Sequence, residues 1–299
     1  MNHLLKSCWH WGQILDNCET IKIASAETRW WYGKRVIRRL IPLYKMKEAP
    51  IFYRLVVWVL RRLIEIRTYR VEEGIESIPS TGGLIVIAPH LDEFDALIAP
   101  EVVTRTGRMP RIFAKASLWK IPVVKQAFKS GKLIPVERGS AAASNSLVIA
   151  QEALENNEVV FIFPEGTCSK DPESWPMTCK TGVARLVLQT GVPVITIMQD
   201  GVQFLGKVAN KTVPWSEYFY HKKHVNKVIV YTKVYEPIDF SGVFSDKIEN
   251  PTDEQILQIN YIIEDFLTHV VEENRGYIAP TRWDAKLSRR AERKESGNL

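Results

Sequence analysis

The sequence predicts an α/β fold: a mainly parallel mixed sheet flanked by helices, preceded by an interfacial helical segment. Short apolar runs of strand length alternate with stretches of helical length, which is the pattern of a parallel sheet built from strand–helix units. Two of these runs, residues 84–88 and 159–163, are apolar throughout, as expected for strands buried on both faces. The 299 residues are 45% hydrophobic, which is enough for a full core.

The N-terminal region differs from the rest of the chain in charge. Residues 1–70 hold 14 Lys or Arg against 5 Asp or Glu, whereas the remaining residues hold 26 against 29. In residues 3–66 the basic side chains alternate with aromatic and aliphatic ones, and Pro42 and Pro50 divide the predicted helices. The longest apolar run, residues 55–60, is far shorter than the ~20 residues of a spanning helix. This pattern predicts helices lying in an anionic bilayer interface, with a helical pair packed on the following domain as the alternative.

The remaining elements follow in order from residue 68. Residues 68–74 predict a strand and a turn, and strands are predicted at 84–88, 111–114, 133–136, 159–163 and 192–198. Residues 225–235 predict one or two further strands. Helical patterns occupy 94–104, 117–129, 140–157, 181–190 and 252–273. Ser140 is a plausible N-cap, and Gly191 ends its helix. We therefore predict membrane-associating helices over 1–66, an α/β domain over 67–280 and a basic polar tail over 281–299.

Three predicted strands end in loops that carry charged or polar residues. His90 follows the strand at 84–88, Arg138 follows 133–136, and Glu165 follows 159–163. Ligands of parallel sheets bind at the carboxyl ends of the strands. The sequence therefore predicts a catalytic site at this edge of the sheet.

His90 is the candidate general base, and a carboxylate must orient it. On a continuous helix His90 and Asp95 would face about 140° apart, so they meet only if His90 lies in a strand-to-helix turn. Pro89 favours such a turn, and Asp95 would then leave the other ring nitrogen free to act as base. Spacing alone leaves Asp92 open, although its position suits an N-cap. A histidine satisfied by a helix cap is the non-catalytic alternative, and the other histidines show no metal-ligand spacing.

Further candidates lie in the neighbouring loops. Gly166 lets backbone N–H groups approach a ligand, and Glu165 could accept from a hydroxyl or hold a water. Arg138 offers a bidentate fork for a phosphate, with Lys115 as a second cation. Cys168 is a conceivable thiol nucleophile, but a histidine base beside an acceptor hydroxyl makes it the less favoured role.

Four blocks in order resemble those of the glycerolipid acyltransferases, and most closely the 1-acylglycerol-3-phosphate O-acyltransferases. His90 and Asp95 match the family's His-x4-Asp block, and residues 132–138 match Gly-x-Ile-x-Val-x-Arg. Residues 163–167 match Phe-Pro-Glu-Gly-Thr in full, and residues 192–195 match a Val-Pro-Val-Ile strand.

The chain departs from the family pattern at three positions. Lys132 stands where the second block has Gly, Cys168 stands where an Arg commonly follows the Thr, and Pro89 precedes the histidine instead of Asn.

The resemblance implies acyl transfer to the sn-2 hydroxyl of 1-acylglycerol 3-phosphate, giving phosphatidic acid. His90 would be the general base and Asp95 its orienting partner, with acyl-CoA or acyl carrier protein as co-substrate, no cofactor and no covalent acyl-enzyme. The implied acceptor-site residues are Lys115, Arg138, Glu165, Gly166 and Thr167. The alternatives are another lipid acceptor, such as a lysophospholipid or a glycolipid mannoside, or a non-catalytic lipid-binding scaffold.

The expected setting is the cytoplasmic face of the cell membrane, with peripheral or monotopic attachment. The expected partners are the bilayer, lysophosphatidic acid and the acyl donor. Four cysteines without CxxC spacing favour a reducing compartment. The interleaved aromatic residues favour a bilayer over nucleic acid as the partner of the basic N-terminus.

Overall fold

A computed structural model describes the chain from residue 46 to residue 279 with gaps. The described residues are 46, 49–137, 142–171, 173–205, 207–208, 211–212 and 227–279. The predicted helices before residue 46 and the predicted tail at 281–299 lie outside them. The α-helices are Ile51–Arg67 (α1), Asp95–Thr104 (α2), Pro122–Ser130 (α3), Ala142–Glu155 (α4), Gly182–Thr190 (α5) and Asp253–Arg275 (α6). The strands are Thr68–Glu73 (β1), Leu84–Ile87 (β2), Pro110–Lys115 (β3), Ile134–Val136 (β4), Val159–Ile162 (β5), Val194–Asp200 (β6), Lys207–Val208 (β7), Lys211–Thr212 (β8) and Val228–Val234 (β9).

Seven strands form one sheet in the order β1-β9-β6-β2-β5-β3-β4. Every neighbouring pair is parallel except β6 and β9, which pair antiparallel from Ile197 opposite Val234. The predicted α/β fold with a mainly parallel mixed sheet is confirmed. The region 225–235, for which the sequence left one or two strands open, forms the single strand β9.

The two fully apolar runs are the centre of the molecule. All four residues of β2 and all four of β5 are buried, because helices cover both faces of the sheet. Ile85 and Ile87 of β2 face the core that α4, α5 and α6 complete. Leu84 and Val86 face the other side, where they pack with α2. The rigid centre therefore fixes the positions of the loops that follow β2 and β5.

Helix α1 packs on the sheet domain through one side only. Tyr53, Val57 and Ile64 are buried, whereas Leu55 and Trp58 are half-exposed on the opposite side. Pro50 stands just before the helix, where its fixed φ and missing N–H are tolerated. In the part of the chain described, no helix combines the length and the apolar character that crossing a bilayer requires.

Candidate active site

The candidate site lies at the carboxyl edge of four neighbouring parallel strands, β2, β5, β3 and β4. The loop after β2 carries His90, and the loop after β5 carries Glu165 and Cys168. Lys115 ends β3 and is the register partner of Val136 at the end of β4. The sheet thus brings two of the three predicted loops and the end of β3 to one edge. Arg138, in the third predicted loop, lies outside the described residues.

Two loops hold His90 in place. Its backbone N–H donates to Glu165 Oε1 at 2.8 Å, and its carbonyl oxygen accepts from the Ser169 N–H at 2.6 Å. The imidazole stacks on the Phe163 ring, with centroids 4.2 Å apart and an interplanar angle of 24°. The ring is therefore fixed by its backbone and by one face, which leaves its nitrogens to neighbours at the ring edge.

Asp95 lies beside the imidazole at the start of α2. Its Oδ2 is 3.9 Å from His90 Nδ1, an ion contact longer than a hydrogen bond. The same oxygen accepts from the N–H groups of Leu91 and Asp92, each at 2.7 Å. Burial raises the pKa of Asp95, against the opposing effect of His90. The carboxylate thus fixes the turn that carries His90 and places a negative charge beside Nδ1.

Asp92, the rival carboxylate, has a different place. Its Oδ1 accepts from the Phe94 N–H at 3.0 Å, which closes a local turn before α2. The structure therefore puts Asp95 next to the imidazole. The N-cap of α2 is Phe94, and Asp92 closes only the turn before it, so the predicted N-cap role of Asp92 is wrong.

Both carboxylate oxygens of Glu165 accept hydrogen bonds from backbone N–H groups. Oε1 accepts from the His90 N–H, and Oε2 accepts from the Met177 N–H at 2.9 Å. The residue is 2% exposed, and burial raises its pKa to about 7 against those two hydrogen bonds. Glu165 therefore joins the loop after β2 to the segment around residue 177. The sequence predicts Glu165 as a site residue, but it does not predict that Glu165 joins two segments, because Met177 is 12 residues farther along an irregular segment.

Cys168 is in contact with the candidate base. Its Sγ lies 3.3 Å from His90 Nε2 and 3.6 Å from Nδ1. Burial disfavours the charged imidazolium, but Asp95 and Cys168 outweigh it and raise the pKa of His90 to about 10. The histidine is thus flanked by a carboxylate and a thiol.

The turn 163–168 requires a glycine at position 166, and the side chain of Lys180 lies next to that glycine. Gly166 has φ +70°, a left-handed conformation that L side chains rarely adopt. A Cβ built on Gly166 would lie 3.6 Å from Cγ of Lys180, an exposed side chain that starts the approach to α5. Thr167 is half-buried in the same turn. The only sequence signal for Lys180 is its position before the Val-Pro-Val-Ile block.

Lys132 adopts a left-handed backbone conformation at the position where the family pattern has glycine. Its φ is +50°, in the left-handed region that costs an L-residue roughly 1–2 kcal/mol. It directly follows Gly131 at the end of α3 and pairs with Glu158 at 3.3 Å on the surface. Lysine in place of glycine therefore costs local backbone strain at residue 132, and β4 still begins two residues later.

The sheet domain is similar in sequence to a known protein family. Residues 70–199, from β1 to β6, match a family model described as Acyltransferase.

Two curated plant proteins and one solved structure are similar to the chain. The 1-acyl-sn-glycerol-3-phosphate acyltransferases BAT2 of Brassica napus and LPAT1 of Arabidopsis thaliana, both chloroplastic, are 27% and 26% identical over 130 residues, or 43% of this chain. The match spans 36% and 35% of their lengths, about a third. The crystal structure of PlsC from Thermotoga maritima, a 1-acyl-sn-glycerophosphate acyltransferase, matches with TM-score 0.52 and 24% identity. The match covers 77% of this chain and 82% of that one, so the two chains share a fold.

Proposed function

We propose that the protein transfers an acyl chain from acyl-CoA or acyl carrier protein to the sn-2 hydroxyl of 1-acylglycerol 3-phosphate, giving phosphatidic acid. The observation that carries this proposal is His90 beside Asp95 at the carboxyl edge of a domain that matches the Acyltransferase family model. The printed activity of the two plant relatives supports the choice of acceptor.

His90 is the proposed base. It removes the proton of the sn-2 hydroxyl, and the oxygen attacks the carbonyl carbon of a thioester. The carbon–sulfur bond breaks, and the imidazolium returns the proton to the departing sulfur. Asp95, 3.9 Å from Nδ1, favours the imidazolium that forms in between. General-base catalysis of this kind contributes ~10²–10⁴-fold.

The acceptor phosphate belongs at the β3–β4 side of the edge. Lys115 is exposed there, and the predicted Arg138 follows β4 by two residues. Strands β2 and β4 are three inter-strand spacings apart, roughly 14 Å. Long Lys and Arg side chains can bridge much of that distance towards a hydroxyl held at His90. Both carboxylate oxygens of Glu165 accept from backbone N–H groups, so Glu165 acts by positioning the loops.

The acyl chains of acceptor and product place the reaction at a bilayer. Helix α1 exposes Ile51, Leu55, Trp58 and Val59, which suits peripheral or monotopic attachment to the cytoplasmic face of the cell membrane. No metal or other cofactor enters the proposed reaction. In the described residues, no group of three or more His, Cys, Asp or Glu side chains is arranged to hold a metal ion.

A panel of donors and acceptors with the purified protein tests the proposal. We expect thiol release from acyl-CoA or acyl carrier protein to depend on 1-acylglycerol 3-phosphate, and His90→Ala to lower kcat by at least ~10²-fold. His269→Ala, which changes an exposed histidine of α6, is the matched control and should leave the rate unchanged. Acyl transfer to lysophospholipids or glycolipid mannosides but not to 1-acylglycerol 3-phosphate would show that the proposed acceptor is wrong. Vesicle binding without thiol release would indicate a lipid-binding scaffold.

A further inference from the structure

The segment that follows the loop after β5 is bonded both to the site and to helix α6. Residues 169–171 and 173–179, here called the bridging segment, lead from that loop towards α5. The Met177 N–H donates to Glu165 Oε2 at 2.9 Å, and Glu165 Oε1 accepts from the His90 N–H at 2.8 Å. The backbone of His90 therefore depends on where the bridging segment lies.

The last turn of α6 holds the bridging segment through Arg275. Nη1 of Arg275 donates to the carbonyl oxygen of Glu173 at 3.0 Å, and Nη2 donates to the carbonyl oxygen of Ser174 at 2.9 Å. The guanidinium carbon lies over the Trp175 ring, 4.5 Å from its centroid. One planar guanidinium thus contacts three consecutive residues, an arrangement that depends on the fork of an arginine.

The turn that Arg275 contacts is also packed against the loop of the base. Ser174 has φ +57°, a left-handed conformation that L side chains rarely adopt, so this turn needs partners to keep its shape. Trp175 is buried in a cluster with the last turns of α6. Leu91, the residue after His90, packs against the same cluster. The turn therefore reaches the site by this packing as well as by the hydrogen bonds of Glu165.

We propose that Arg275 is a positioning residue for His90. It fixes the turn at 173–175 on the end of α6, and through that turn it places Met177 and Leu91 against the loop that carries the imidazole. The proposal rests on the proposed function, because a displaced base slows the proton transfer that the reaction requires. Arg275 acts through the bridging segment and not on the reacting atoms.

Helix α6 holds the other end of the bridging segment independently of Arg275. Glu264, a buried residue of α6, accepts from the Cys179 N–H at 2.7 Å through Oε1. Loss of Arg275 should therefore release the turn at 173–175 while the end at Cys179 stays bonded. We expect local loosening of the segment in a protein that remains folded.

Hydrogen exchange of backbone amides, followed by NMR, tests the placement without reference to activity. In Arg275→Ala the N–H groups of Met177 and His90 should exchange at least about tenfold faster than in the wild type, because the carboxylate that they share loses its fixed position. The Cys179 N–H should keep its wild-type rate.

The kinetics of Arg275→Ala give the second readout. We expect kcat for phosphatidic acid formation to fall by roughly tenfold or more, with the KM of donor and acceptor within about twofold of the wild type. Millimolar guanidinium, which can occupy the place of the lost side chain beside Trp175, should recover part of the lost kcat. Glu273→Gln is the matched control, because Glu273 lies in the same part of α6 but bonds to Lys233 and Tyr235. It should keep the wild-type kcat and exchange rates and show no gain with guanidinium.

The outcomes separate this proposal from the proposed function. Phosphatidic acid formation at the wild-type kcat by Arg275→Ala, with unchanged exchange at Met177 and His90, would overturn the role of Arg275 and leave the acyltransferase proposal standing. Faster exchange of all amides in the variant, that of Cys179 included, would show a general loss of folding and would also overturn it. Faster exchange at Met177 and His90 alone, in a protein whose wild type forms no phosphatidic acid, would overturn the proposed function and support the placement of His90 by Arg275.

Discussion

His90 depends on side chains from two separate loops. Asp95 arrives with the start of α2, whereas Phe163, Glu165 and Cys168 arrive with the loop after β5, more than 70 residues later in the chain. The ionisation of the imidazole is therefore set by tertiary structure. The Asp95 carboxylate beside Nδ1 can be changed without altering Cys168, so its effect on the pKa of His90 can be tested alone.

Asp95→Asn should lower the pKa of His90 while keeping the turn. An asparagine oxygen can still accept from the Leu91 and Asp92 N–H groups, but the negative charge 3.9 Å from Nδ1 is lost. We expect the ring titration, followed by NMR and assigned with His90→Ala, to move down by roughly 1–3 pH units from its wild-type value near 10.

The stability effect has a definite sign. Because the pKa of His90 is raised on folding, its stabilising effect is complete below about 6.5 and is lost as pH rises through about 10. Asp95→Asn should therefore destabilise the protein more at pH 7 than at pH 11. Asp92→Asn, which changes the carboxylate of the turn before α2, is the control; an equal shift of the ring titration in both variants would contradict the role of Asp95.

Some of the site can be predicted from sequence and some cannot. His90 and Asp95 stand at a strand end and a helix start, which hydrophobic patterns locate well. The contact of Cys168 with the imidazole and the two backbone bonds of Glu165 depend on the path of residues 163–177. That segment has no periodicity, and its shape is set by the partners that it finds.

At the scale of elements, the central strands follow from composition alone, because a run buried on both faces must be apolar throughout. The helix 252–273 predicted from its pattern is observed as α6, which begins after a capping box of Thr252 and Gln255. The place of β9 between β1 and β6, antiparallel to β6, does not follow from pattern. Strand direction depends on the connection that precedes β9, and apolar alternation is the same in both directions.

A buried cluster joins α1, β1 and α2. Glu101 of α2 is 3% exposed and pairs with Arg61 of α1 at 2.6 Å, with Arg70 of β1, and with Arg105. Burial opposes the charge of Glu101, but the three guanidinium groups outweigh it and hold its pKa far below the usual range. The cluster thus fixes the helix that precedes the sheet.

Glu101→Gln should destabilise the fold by about 3–5 kcal/mol, because buried arginines lose their counter-charge. Urea denaturation monitored by circular dichroism measures it. The effect should be present near neutral pH and shrink as the solution is acidified below about 4.5, where the carboxyl protonates in the unfolded chain. Glu65→Gln breaks the half-exposed pair with Arg62 and removes a minor charge interaction with Arg105, but it leaves Glu101 in place. It should change stability by less than ~1 kcal/mol; similar losses in both variants would argue against the cluster.

At the scale of the whole molecule, apolar side chains are exposed on two neighbouring elements. Helix α1 packs against α3. α1 exposes Leu55 and Trp58, and the start of α3 exposes Val123, with Ile121 just before it. Arg62 lies over the Trp58 ring, 5.9 Å from its centroid, at the edge of this apolar surface. Exposed apolar side chains beside basic ones are the combination that binds an anionic interface.

Leu55→Glu combined with Val123→Glu should weaken binding to anionic vesicles by tenfold or more. Burying one large apolar side chain stabilises by about 1.5–3 kcal/mol, and 1.4 kcal/mol is a factor of ten in affinity. Both positions are exposed, so the fold and the site should persist, and activity on detergent-dispersed acceptor should stay near the wild-type rate. Cosedimentation with phosphatidylglycerol-containing vesicles measures the binding. Leu257→Glu combined with Tyr261→Glu, two exposed positions of α6, is the matched control. If the α6 variant loses vesicle binding and the α1–α3 variant keeps it, the membrane contacts the opposite side of the sheet.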